Sequence, residues 1–110
     1  MTGTLRAALA LCFLIAPAPL FAADSVVNMC TADGRSRAAC ECAAGALRDD
    51  IGPRNYALYK AIGADYVEHR RGGLEAADAW RAAVRSAGTT SGEADPLGAA
   101  HRAAIRGCGA

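Results

Sequence analysis

From residue 37 onward, apolar side chains recur every three or four positions, the spacing of one face of an α-helix. Cys40, Ala43, Leu47 and Ile51 make a first stripe. Tyr56, Tyr59, Ile62, Tyr66 and Arg70 make a second, widened by Leu58 and Val67. Leu74, Ala77, Trp80, Val84 and Ala87 make a third. Leu97, Ala100 or His101, Ala104, Ile105 and Cys108 make a fourth. The punctuation between stripes agrees. Ser36 can cap a helix over 37–51, and Gly52-Pro53 breaks it. Pro53 suits the first turn of a second helix over 53–70, closed by Gly72-Gly73. Leu74 to Ala87 predicts a third, with Glu75 and Asp78 early and Arg81 and Arg85 late, matching the helix dipole. "TTSGEADP" reads as a polar linker, and Asp95-Pro96 as a cap and first residue of the fourth helix. Residues 24–36, "DSVVNMCTADGRS", read as a loose arm with a turn at Asp33-Gly34. No strand-like alternation, internal repeat or heptad array is present. The fold class expected is all-α: a small disulfide-stapled bundle of about four short helices with an irregular N-terminal arm.

Residues 1–23 follow a different pattern. Arg6 precedes an apolar run from Ala7 to Ala16, then a Pro-containing stretch and the small residues Ala22 and Ala23. This is the layout of a secretory signal peptide. The run is shorter than the ~20 apolar residues a membrane span needs. Cys12 lies inside the apolar core with Leu11 before it, which does not fit a lipoprotein anchor. The expectation is a cleaved leader over 1–23 and a single helical domain over 24–110, periplasmic or secreted, with no membrane span once the leader is gone.

Composition then sharpens the problem of stability. Hydrophobic residues make up 53% of the chain, but the leader and the alanines supply much of that. Bulky apolar side chains after residue 23 are few, and a domain of this size has a marginal core. Charge points to no particular partner. Without Arg6, basic and acidic residues balance at 11 each. A clustered basic face of the kind that binds nucleic acid is missing, so no nucleic-acid partner is expected.

The cysteines supply what the core lacks. Cys12 leaves with the leader, and Cys30, Cys40, Cys42 and Cys108 remain. An even number in a short exported chain implies two disulfides. Cys40 and Cys42 point roughly 200° apart on a helix, so they do not bond to each other. Cys40 shares the inner face with Ala43 and Leu47, and Cys108 shares the inner face of the last helix. The pairing favoured is therefore Cys30 with Cys42 and Cys40 with Cys108. Cys30 with Cys40 and Cys42 with Cys108 is the runner-up. In both, one helix holds both ends of the chain.

Other chemistry is sparse. Spacing does not match a Cys-x-x-Cys redox motif, and there is no Cys-x-x-Cys-His for haem. Thiolates with His69 or His101 could bind copper(I) or zinc, but an oxidising compartment disfavours free thiols. Ser25, Ser36, Ser86 and Ser91 sit in no nucleophile motif. Asp49 and Asp50 are helix neighbours that do not face each other. His69 stands four residues after Asp65 and could pair with it. His101 reads as a packed or surface histidine. The tyrosines and Trp80 read chiefly as core, with a ligand groove as the sharper alternative. In outline the chain is similar in kind to small helical envelope proteins such as acid-stress chaperones and toxin-immunity proteins, with no motif that carries a residue role across. The function expected is a non-enzymatic binding or interaction module of the bacterial cell envelope, partnered by another envelope or secreted protein, with no catalytic residues, cofactor or metal. The alternative is a thiol- or metal-dependent carrier or small periplasmic enzyme using the cysteines and His101.

Overall fold

The computed structural model describes residues 24–109; the leader expected over 1–23 lies outside them. Among the described residues four helices follow one another: α1 (Ser25–Ala32), α2 (Arg37–Arg71), α3 (Ala76–Ser86) and α4 (Ser91–Gly107). Among the described residues there is no strand. No helix there is long and apolar enough to cross a membrane. The architecture is the all-α stapled bundle that the periodicity predicts.

α2 is two limbs joined at Gly52, whose φ of 84° and ψ of 166° are not helical. A positive φ is accessible to glycine without steric cost, and Pro53 cannot donate to the ladder beyond it. The side-chain amide of Asn55 donates to the Ile51 carbonyl at 3.2 Å, replacing a backbone bond lost at the break. The Arg48 guanidinium lies 4.7 Å from the Tyr56 ring centre, a contact between the two limbs. The first limb buries Cys40, Ala43, Ala44 and Leu47; the second buries Tyr56, Tyr59, Ile62, Gly63, Tyr66 and Val67. These are the two stripes expected, and Ser36 caps the first limb by accepting from the Ala39 N–H.

The arm is not loose. Residues 25–32 form α1, with Val26, Val27, Met29 and Cys30 buried. Asp24 caps it, accepting from the backbone N–H of Val26 at 2.9 Å and of Val27 at 3.4 Å. The Tyr56 hydroxyl donates to the same carboxylate at 3.2 Å. The Ser25 hydroxyl donates to the Lys60 carbonyl at 2.5 Å. An eight-residue helix with two adjacent valines is not stable alone; α1 exists because it docks. Gly63 marks the contact. A Cβ there would lie 2.8 Å from Met29 Cε and 3.1 Å from the Ser25 carbonyl oxygen.

This docked helix also corrects the favoured disulfide pairing. The bonds are Cys30–Cys40 and Cys42–Cys108. The helical phase expected for α2 holds, since Cys40 is fully buried with Ala43 and Leu47 while Cys42 is exposed. What lies against that inner face is α1, so Cys40 meets Cys30 there. Cys108 is the half-buried C-cap of α4 rather than part of its inner face, and it meets the outward Cys42. Neighbouring positions of one helix still hold both ends of the chain, with the partners exchanged.

Two further expectations shift. α3 starts at Ala76, not Leu74, and Leu74 is exposed. Its buried residues are Ala79, Ala83 and Val84. The face is rotated because small alanines allow close approach to the core, leaving the bulky Trp80 at its edge. α4 starts inside the supposed linker. Thr90 caps it through the Glu93 N–H, and the Thr89 hydroxyl donates to the Glu93 carboxylate at 2.6 Å. Pro96 is thus inside α4 rather than at its first position. Asp95, expected as the cap, is left for another role.

Candidate functional site

All four helices contribute to a cleft of about 520 Å³, within the usual size range of small-molecule sites. α1 supplies Met29 and Cys30, and the turn after it supplies Asp33 and Arg35. α2 supplies Tyr59 and Tyr66; α3 supplies Trp80. α4 supplies Asp95, Gly98, His101, Arg102 and Ile105. The helical phases explain the convergence. Tyr59 and Tyr66 are two turns apart on one stripe of α2. Gly98, His101, Arg102 and Ile105 are spaced three and four apart on α4.

His101 is the centre of the site. It is 4% exposed, and its Nδ1 is 2.8 Å from the Tyr59 hydroxyl oxygen. The two rings meet edge to face with centroids 5.2 Å apart. Burial pushes the His101 pKa down to about 4, and the nearby Arg35 and Arg102 act in the same direction against Asp33. The imidazole is therefore neutral at physiological pH. Burial also raises the Tyr59 pKa, so the phenol keeps its proton. That hydroxyl lies 3.5 Å from the Met29 sulfur as well, but a thioether is a weak acceptor and the imidazole nitrogen is the stronger one. The proton then points at Nδ1, and Nε2 carries the ring's own N–H. Nε2 has no hydrogen-bond partner, alone in this among the buried side-chain nitrogens and oxygens of the described residues. An unmet buried polar atom carries a cost of ~1–3 kcal/mol.

The rest of the cleft is arranged around this ring. Trp80 stands 6.2 Å from Tyr59, centroid to centroid. Its indole N–H donates to Asp95 at 2.9 Å. The Tyr66 hydroxyl donates to Asp33 at 3.2 Å, and Arg70 Nη2 lies 3.9 Å from the same carboxylate. Gly98 keeps the wall thin: a Cβ there would be 3.5 Å from Trp80 Cη2 and 3.7 Å from Arg102 Nη1.

The sequence-derived candidates divide accordingly. Cys30 lines the cleft, but it and the other three cysteines are held in disulfides. Tyr59 and Tyr66 serve as both core and cleft wall, so the stripe read chiefly as core also faces a cleft. Tyr56 lies outside the cleft, where burial and Asp24 push its pKa up to about 12. The pairing open to His69 and Asp65 is not made: no ion pair joins them. Asp49 and Asp50 are exposed. Ser25 is occupied with a backbone carbonyl, and Ser36 is a cap. Sequence reasoning missed Asp33, Arg35, Asp95, Gly98 and Arg102. Only Arg102 carried a signal, as the polar neighbour of His101. Comparison with family models, with curated proteins and with solved structures found no match; the site is read from its own chemistry.

Proposed function

We propose that the protein is a non-enzymatic binding module, exported to the periplasm or beyond, and that the cleft around His101 is its recognition site. The observation that carries this reading is the His101 Nε2, buried at the cleft without a partner. Such an atom is normally satisfied, and an occupant of the cleft that shifts the side chains covering it would satisfy it. Aromatic walls with a few placed polar groups are the usual make-up of a binding site. The leader pattern and the two disulfides support an oxidising compartment.

A catalytic reading is less well supported. The group bonded to His101 is a phenol whose pKa burial raises, the reverse of an activated nucleophile. A thiol or metal carrier would first have to reduce bonds that hold the fold together.

Blocking the cleft tests the reading. Gly98 has ordinary contact distances around its missing Cβ, so Gly98→Leu should keep the helix and fill the space beside Trp80. Immobilised wild type and Gly98→Leu are each exposed to extract of the native periplasm, with equal melting behaviour as the control. Material retained by wild type and released by the substitution supports the cleft. Equal retention by both, or none by either, contradicts it.

A further inference from the structure

The charges lining the cleft are unevenly committed. Its two carboxylates already hold donors: Asp33 has the Tyr66 hydroxyl with Arg70 beside it, and Asp95 has the Trp80 indole. Its two guanidinium groups, on Arg35 and Arg102, make no hydrogen bond or ion pair among the described residues. The remaining unmet group is again a donor, the Nε2–H of His101. The cleft thus offers two uncommitted guanidinium groups, while each of its carboxylates already holds one donor. Beside Gly98, the edge of Trp80 and the Arg102 guanidinium lie within a few tenths of an ångström of the same distance from one point. A flat apolar group and a negative one can therefore sit side by side there. Met29, Tyr59 and Ile105 extend the apolar wall.

Resting on the reading of the cleft as a binding site, we infer that its occupant is a small organic acid: a flat apolar body against Trp80 and Tyr59, with a carboxylate taken by Arg102 and Arg35 beside the His101 ring. Guanidinium groups suit a carboxylate because their paired N–H donors match its two oxygens. A cation is disfavoured, because the two arginines would repel it and each aspartate already holds one donor. A neutral amide of the same shape would present an NH₂ to donors that need an acceptor.

Three probes that share one ring system separate these cases: indole-3-propionate, its primary amide, and tryptamine. Each is titrated into the oxidised protein by calorimetry and by following the His101 side-chain ¹⁵N signals. The carboxylate should bind saturably, at least tenfold more tightly than the amide or the amine, and should move the Nε2 resonance. Arg102→Gln should weaken it about tenfold and Arg35→Gln several-fold, with the amide little affected. Both arginines are exposed, so these substitutions leave the core intact. Amide or amine binding as tight as the acid, or an unchanged acid affinity in Arg102→Gln, overturns the inference. So does the absence of saturable acid binding. The Gly98→Leu comparison remains independent: an occupant retained by wild type, lost from Gly98→Leu and lacking an acid group would sink this inference while leaving the cleft as the recognition site.

Discussion

At the scale of single residues, His101 carries most of what can be tested. Its ring is held neutral by burial, with Arg35 and Arg102 reinforcing and Asp33 opposing. In the unfolded chain a histidine titrates near 6.5. Above that pH the ring is neutral in both states and adds no pH dependence. Between about 6.5 and about 4 the unfolded state takes up a proton that the folded state refuses, so stability falls as pH falls. Below about 4 both states are charged and the loss from this ring is complete, on the order of 3 kcal/mol. Urea unfolding at pH 7.5, 6 and 4.5 should show the decline, and His101→Gln should flatten it. An equal decline in His101→Gln would assign it to other groups. Asp24 offers a second residue-scale test, since it both caps α1 and accepts from Tyr56. Asp24→Ala should cost about 1–2 kcal/mol, the usual loss for an N-cap, read from denaturant midpoints. His101 was legible in the sequence as a residue near an inner face. Its missing partner was not, because that depends on Tyr59, forty-two positions away.

At the scale of elements, what could be read and what could not follows from where the information lies. The limbs of α2 announced themselves because Cys40, Ala43 and Leu47, then Tyr59, Ile62 and Tyr66, repeat at helical spacing over several turns. Gly52-Pro53 marked their junction for a local reason, the φ that proline's neighbour takes. α1 was invisible because eight residues with adjacent valines carry no helical signal of their own; its helicity comes from docking against α2. α3 was placed but rotated, since a helix so rich in alanine can face the core on more than one side. Asp95-Pro96 misled because capping chemistry stronger in context, Thr90 with Glu93, lies just upstream. The α1–α2 contact gives a direct prediction. Gly63→Ala puts a methyl group against Met29 and the Ser25 carbonyl, and overpacking of this kind costs about 1–3 kcal/mol. Gly45→Ala, in the same helix with open space at its Cβ, should instead stabilise by up to about 1 kcal/mol. Thermal melts that moved both variants the same way would contradict the docking of α1.

At the scale of the whole molecule, two staples frame the cleft. Cys30–Cys40 fixes α1, which supplies one wall, and Cys42–Cys108 anchors the end of α4, which supplies another. Their loops differ in sequence separation, 10 against 66. Loop-closure entropy credits them with about 3 and about 4 kcal/mol respectively. Cys42→Ala with Cys108→Ala should therefore destabilise slightly more than Cys30→Ala with Cys40→Ala, and neither pair should cost much more than its own single substitutions. Equilibrium unfolding of the four singles and two doubles checks this. Peptide mapping under non-reducing conditions should recover Cys30 joined to Cys40. The account turns most sharply on a neutral imidazole held in the cleft by Tyr59 with its Nε2–H unmet. A side-chain ¹⁵N titration of His101 in the oxidised protein measures that state directly. The result expected is a single Nε2–H tautomer that persists from neutral pH down to about pH 4. Tautomers in exchange and a titration near pH 6.5 would mean a solvated ring, and with it no preformed binding site.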